Sequence, residues 1–346
     1  MDNINSIMSE DADNLALKVD PSQFEGSKIL ITGASGLLGI NLLEYFKVAI
    51  NRGLNIDLTA LVNSKPNLLL SHLVESSKAH LRIGDLTELN VLNGLDNFDY
   101  IIHAASYGQP GRFMSDPIKT LKLNTVVTFE LFKLLKKTGK FIFLSTSEIY
   151  SGNPNTPYRE DDVGRTNTTH PRACYIEAKR CGEAICNSYR ESKGVIATSI
   201  RLALAYGPGT RPEDQRVLNT FIKRALLEKK ITLQDLGNAT RRYCYITDVL
   251  EIILKIMLTG SRPIYNIGGS EKISIGKLAE MIGNILNVPV EYPDIENKMN
   301  HAPEDVCLDM SLVLEDFKKK EFTSIYDGLL RTVEWQKLMY KEINND

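Results

Sequence analysis

The 346 residues exceed what one compact hydrophobic core usually holds, so the chain needs one large domain with a lobe, or two. Hydrophobic residues make up 43% and charged residues 24%, and 41 Lys and Arg against 43 Asp and Glu leave a net charge of −2. This is the balance of a soluble globular protein, and it argues against nucleic acid as a partner, because no excess of cations exists to displace counterions from phosphates. No run of 18 apolar residues offers a membrane span. The polar, acidic start, MDNINSIMSEDADN, lacks the basic-then-apolar order of a signal peptide. The five cysteines are odd in number and form no C-x-x-C pair, which reads as reduced thiols in a cytoplasmic protein. His72, His80, His103, His170 and His301 show no metal-ligand spacing, so no metal is expected.

Residues 1–27 read as an N-terminal arm, either a short helix capped by Ser9 or a frayed end. From Lys28 apolar runs alternate with helical periodicity. Strands are predicted at 28–32, 56–62, 79–83, 98–103, 140–145 and 195–201, with helices at 37–50, 116–137 and 172–192. Such alternation implies an α/β fold: a Rossmann-type, doubly wound parallel sheet covered by helices on both faces. It gives a first domain over 28–201. A Gly- and Pro-rich loop at 206–216 then opens a smaller, discontinuous C-terminal lobe over 202–346. This lobe mixes helices at 217–228, 248–258, 275–286 and 324–340 with strands at 231–234, 264–267 and 288–291, and some of these return to the first domain.

Gly33-Ala-Ser35-Gly36-Leu37-Leu38-Gly39 lies between the first strand and the first helix of that domain. Glycines there permit a tight turn, a close approach of backbone to a pyrophosphate and tight helix–strand packing. The helix N-terminus adds free N–H groups and partial positive charge. A glycine triplet is weak evidence alone and strong evidence after the first strand of an alternating chain.

Tyr175 and Lys179 stand four apart, on one face of a helix. A cation held beside a phenol lowers its pKa and prepares it as a general base towards a hydroxyl. Tyr189 and Lys193 repeat the spacing, so position decides. Tyr175 opens its helix at the sheet edge where ligands bind in open α/β folds, whereas Tyr189 lies near the far end and reads as packing. The fifth strand ends in Ser145-Thr146-Ser147-Glu148-Ile149-Tyr150, which offers hydroxyls and an acid at the same edge.

Together, T-G-x-x-G-x-x-G, Y-x-x-x-K and the S-T-S-E end resemble the extended short-chain dehydrogenase/reductase family. The resemblance implies catalysis by Thr146, Tyr175 and Lys179, with Ser147 and Glu148 marking the subclass. It implies cofactor contacts by the glycine turn, Asp85 and Leu86, Ala104, Ala105 and Ser106, Asn124, Tyr175 and Lys179. At the end of the second strand Asn63 stands where an acid would hold the ribose of NAD, and Lys65 would tolerate a 2′-phosphate. NAD is implied and NADP stays open. Dehydratases of the family place Asp-Glu where Ser147-Glu148 stands, and 4-epimerases have neither acid.

Pro171-Arg172-Ala-Cys-Tyr175, the stretch from Phe113 to Thr125, and Thr240-Arg241 look most like UDP-glucuronate decarboxylases. That likeness implies a nucleotide-sugar substrate oxidised at C4, gripped by Arg112, Arg172, Arg216 and Arg241. It also implies a homodimer through a four-helix interface. The alternatives are a 4-epimerase, a 4,6-dehydratase or a C4 dehydrogenase on another nucleotide sugar, or a dinucleotide-binding module without turnover. Three positions depart from the decarboxylase pattern: Phe113 for a tyrosine, Leu204 for an asparagine and His301 for an arginine.

Overall fold

The computed structural model describes residues 2–293 and 305–343. Helix α1 (Asp2–Lys18) leads into β1 (Lys28–Thr32), α2 (Leu37–Asn51), β2 (Asp57–Val62), α3 (Leu68–Ser76) and β3 (His80–Ile83). The next elements are β4 (Phe98–His103), α4 (Pro110–Ser115), α5 (Pro117–Asn124), α6 (Val126–Lys133), β5 (Leu135–Thr146), α7 (Ala173–Lys193) and β6 (Ile196–Leu202). Beyond them lie β7 (Leu204–Tyr206), α8 (Val217–Leu227), β8 (Ile231–Thr232), β9 (Thr240–Arg241), β10 (Tyr243–Tyr245), α9 (Ile246–Thr259) and β11 (Ile264–Ile267). Finally come β12 (Ile273–Ser274), α10 (Ile275–Leu286), β13 (Val290–Glu291), α11 (Ser311–Phe317) and α12 (Ile325–Ile343).

Seven strands form one parallel sheet in the order β11-β6-β5-β4-β1-β2-β3. This is the Rossmann-type, doubly wound sheet. Alternate side chains of β1 feed two cores: Ile29 and Ile31 belong with α1, α2 and α9, while Leu30 joins Phe141 and Phe143 of β5 against α5, α6 and α7. Strand order reverses between β1 and β4, which opens a crevice beyond their C-terminal ends. The lobe is made of three two-stranded pairs, β10-β7, β12-β9 and β13-β8, with α8 packed on α10. From the C-terminal part, β11 extends the main sheet and α9 packs on β5.

Two sequence expectations need correction. Residues 2–18 are not a loose arm: α1 packs against α2, α9 and α12, burying Met8, Ala12, Leu15 and Ala16. Asp11 accepts from Tyr245 Oη at 2.6 Å and pairs with Arg331 Nε at 2.8 Å. Met8 and Ile7 share a cluster with Trp335 and Met339 of α12. Nor is 116–137 one helix. Asp116 caps α5 by accepting from Lys119 N, with Pro117 at the first position. The helix is then interrupted at Thr125, where Asn124 Nδ2, Thr125 Oγ1 and Thr128 Oγ1 each bond to a carbonyl one turn back. Such bonds compete with the helical ladder. After Lys133 the chain joins the sheet, because Leu135 pairs with Phe98 ahead of a bulge.

Candidate active site

The turn after β1 brings the glycines against the turn after β4. Gly33 adopts φ 69°, and a Cβ on it would lie 2.8 Å from the backbone of Ala104 and Ala105. A Cβ on Gly39 would lie 2.5 Å from Ala34 Cα. Gly36 is the N-cap of α2 and supplies no side chain to its first N–H groups. A cradle closed to side chains, at an uncapped helix N-terminus, fits a dinucleotide pyrophosphate. Behind it, Thr32 Oγ1 donates to His103 Nδ1 at 2.8 Å, and His103 Nε2 donates to Leu123 O at 2.9 Å. Burial pushes His103 down to about 3, so the ring is a neutral brace. Thr32 Oγ1 also accepts from Ala105 N at 3.3 Å, which fixes the second turn.

A cavity of about 480 Å³ runs along this edge. Of the expected cofactor contacts it is lined by Gly33, Ser35, Gly36, Leu37, Leu38, Gly39, Asn63, Leu86, Ala104, Ala105, Ser106, Tyr175 and Lys179. Three expected contacts lie off its wall. Lys65 is exposed. Asp85 accepts from Thr87 N at 2.9 Å and pairs with Lys119 at 2.5 Å. Asn124 is buried behind Ser106, donating to Ser106 Oγ at 3.1 Å.

Tyr175 and Lys179 rise from the first turns of α7, both buried. Thr146, the last residue of β5, stands beside Tyr175, near enough for its hydroxyl to favour the phenolate. The Phe113 ring of α4 stacks on Tyr175 at 4.4 Å and 3°. The expectation that Lys179 lowers the phenol pKa is not met in this geometry. Lys179 Nζ donates to Leu144 O at 2.5 Å and lies 5.8 Å from the Tyr175 ring centroid. Burial pushes Tyr175 up to about 12, opposed by the neighbouring Thr146 hydroxyl. It also pushes Lys179 down to about 7, opposed by Glu183. Tyr189 stacks on Phe132 at 4.0 Å, a packing contact.

Beyond Thr146 a single 3-10 turn holds Ser147 and Glu148, and Thr146 Oγ1 accepts from Glu148 N at 3.2 Å. Arg172 Nη2 donates to Glu148 Oε1 at 2.6 Å. Burial raises the Glu148 pKa, and the charges of Arg172, His170 and Arg241 oppose that rise. Among the expected substrate arginines, Arg112 and Arg216 line the cavity, whereas Arg172 and Arg241 meet around Glu148. Arg216 is held bidentately by Asp214, Nε at 2.9 Å and Nη2 at 2.6 Å. His301 lies outside the described residues.

Ser145, a strand-end hydroxyl, and Arg211, expected in the loop facing the substrate cleft, both line the cavity; Asp214, which also lines it, was missed by sequence reasoning. Ser145 Oγ contacts Glu183, which is buried with Arg201 in a 2.8 Å ion pair. The Y-x-x-x-K-x-x-x-E spacing was the available signal for Glu183, since it puts a third polar residue on the Tyr175 face of α7.

A model of the NAD-dependent epimerase/dehydratase family matches residues 29–268. UDP-glucuronic acid decarboxylase 1 of Xenopus tropicalis is 30% identical over 77% of this chain and 62% of its own length. The chain thus spans less than two thirds of that relative. UDP-glucuronic acid decarboxylase 5 of Arabidopsis thaliana is 29% identical over 80% of this chain and 79% of its own. Among solved structures, UDP-glucose 4-epimerase of Thermotoga maritima superposes with a TM-score of 0.74 at 22% identity, covering 90% of this chain and 99% of that one. The dTDP-glucose 4,6-dehydratase of Bacillus anthracis, solved with NAD, gives 0.75 at 21%, covering 91% and 98%. At these identities the two structures speak for the fold.

Proposed function

The chain belongs to the NAD-dependent epimerase/dehydratase family, and we propose that it oxidises a nucleotide sugar at C4 and, among the reactions of that family, decarboxylates UDP-glucuronate. NAD is the cofactor, and when bound it supplies the hydride acceptor and donor. The glycine turn and the N-terminus of α2 would hold its pyrophosphate, with Asn63 and Leu86 towards the adenosine half and Ala104, Ala105 and Lys179 towards the other.

The observation that carries the reading is Tyr175 and Lys179 buried on the cavity wall, with Thr146 beside Tyr175 and the Glu148–Arg172 pair one turn beyond. Tyr175 takes the proton of the C4 hydroxyl, and Thr146 orients that hydroxyl. Burial makes the phenolate costly to form and strongly basic once formed, so Tyr175 must give up its own proton before it can take the one from the C4 hydroxyl. The 4-keto-uronate is a β-keto acid and loses CO2 readily. Glu148 orients or protonates the product carbon. Arg172 and Arg241 keep cationic charge beside Glu148, where a substrate carboxylate finds its partner. Ser147 gives the site one acid instead of a dehydratase's two, and Glu148 gives it one more than an epimerase. Thr146, Ser147, Glu148, Tyr175 and Lys179 are the proposed catalytic set, and Arg112 and Arg216 the proposed diphosphate contacts.

A specific observation favours a second reading, a 4-epimerase or 4,6-dehydratase acting on another nucleotide sugar. Phe113, stacked on Tyr175, brings no hydroxyl to the place where decarboxylases carry a tyrosine. One experiment decides. The purified protein with NAD and UDP-glucuronate should yield CO2 and UDP-xylose. If it does not, a panel of UDP-, GDP-, dTDP- and CDP-sugars identifies the substrate, and no turnover on any of them sinks the enzymatic reading.

A further inference from the structure

The loop between β7 and α8 is pinned to the cofactor half of the cavity at two points. Asn41 Nδ2, in the second turn of α2, donates to Pro208 O at 2.9 Å. Arg211 Nε donates to Ser35 O at 2.9 Å, and its Nη2 donates to Ser35 Oγ. Between these anchors Gly209 adopts φ 92°, and a Cβ on it would lie 2.7 Å from Ile40 Cγ2. The loop therefore lies in close contact with α2, and the Arg211 guanidinium rests on the glycine turn itself. Arg112 stands near enough to repel it, and the two share one half-exposed carboxylate, Glu213, at 3.7 and 3.9 Å. Asp214 adds a weaker attraction, but its carboxylate is committed to Arg216. Two cations with one weak partner leave this stretch of wall positive, and a diphosphate supplies the missing charge.

We propose that Arg211 is a cofactor-retaining residue: it reaches from the lobe onto the glycine turn, binds the diphosphate of the dinucleotide there and slows its release. Retention suits a reaction that takes a hydride and then returns it. The inference rests on NAD binding at the glycine turn and is independent of which sugar is the substrate.

The test follows NADH release from the full chain, without any sugar, by stopped-flow fluorescence, together with NADH affinity by calorimetry. Arg211→Ala should release NADH about tenfold faster than the parent, the loss of one charge-assisted contact, with Arg211→Lys in between. Ser35→Ala, which removes one acceptor of the anchor, should release it about threefold faster. This variant carries the test if Arg211→Ala folds poorly. Unchanged release from a variant with an unaltered melting temperature overturns the proposal. So does weaker nucleotide-sugar binding with unchanged NADH release, which would give Arg211 to the substrate diphosphate. A parent protein that binds no NADH would fail at the cofactor site itself, a separate result.

Discussion

Tyr175 carries its phenol where ionisation is costly, buried and stacked under Phe113. Tyr175→Phe should lower kcat by about 10²–10⁴-fold and leave NADH affinity within a factor of about two, read by turnover and calorimetry. Lys179 gives a sharper test, because burial holds its pKa at about 7 against an ordinary 10.5. Between those values the folded chain binds fewer protons than the unfolded one, so stability gains from this residue as pH rises through the window. Below about pH 7 the full cost of a buried ammonium is present. Lys179→Met removes that dependence. Relative to the parent, the variant should melt higher at pH 6 than at pH 10; an equal offset at both would refute the assignment. Thr146, Tyr175 and Lys179 were legible from their positions at strand and helix ends. The Lys179–Leu144 bond was not, since a side chain of that reach has several carbonyls to choose from. The contact of Arg211 with the glycine turn was hidden for a related reason: its partner Ser35 lies 176 positions away.

Periodicity located the parallel strands to within a few residues because each buried strand is a short apolar run between turn signals. It failed where local and distant preferences disagree. Leu135-Lys-Lys-Thr-Gly139 continues a helical pattern, yet pairing with β4 draws it into β5. The break at Thr125 required knowing that three neighbouring polar side chains bond backwards instead of outwards. Where α7 crosses the sheet, Gly182 is the closest approach: a Cβ there would lie 2.2 Å from Phe143 Cζ and 2.8 Å from Asn124 O. Gly182→Ala should therefore lower stability by about 1–3 kcal/mol, measured by denaturant unfolding, despite alanine's better helix propensity. A stabilised variant would mean that the α7–β5 spacing is loose.

On the scale of the molecule, the outer faces of α5 and α6 leave Ile118, Val126 and Phe129 exposed at 63%, 45% and 46%. Both helices pack beside α7, as a four-helix dimer interface requires. We expect a dimer by light scattering and a monomer after Phe129→Glu. A monomeric parent would contradict this. None of the described helices is long and apolar enough to cross a membrane. The near-zero net charge takes on meaning here. Arg112, Arg211 and Arg216 line the cavity wall and Arg172 and Arg241 stand around Glu148, so anion recognition is local and needs no basic surface.

The contact between α1 and α12 also bears on how the protein is made. The first helix leaves the ribosome roughly 300 residues before the one that covers it, an interval of roughly 15–60 s at ordinary elongation rates. Until then Met8 and Ile7 lack Trp335 and Met339, and Asp11 lacks Arg331. Until α12 is made, α1 can pack on α2 but leaves its Ile7 and Met8 face only partly covered. The last helix closes the fold by completing the first.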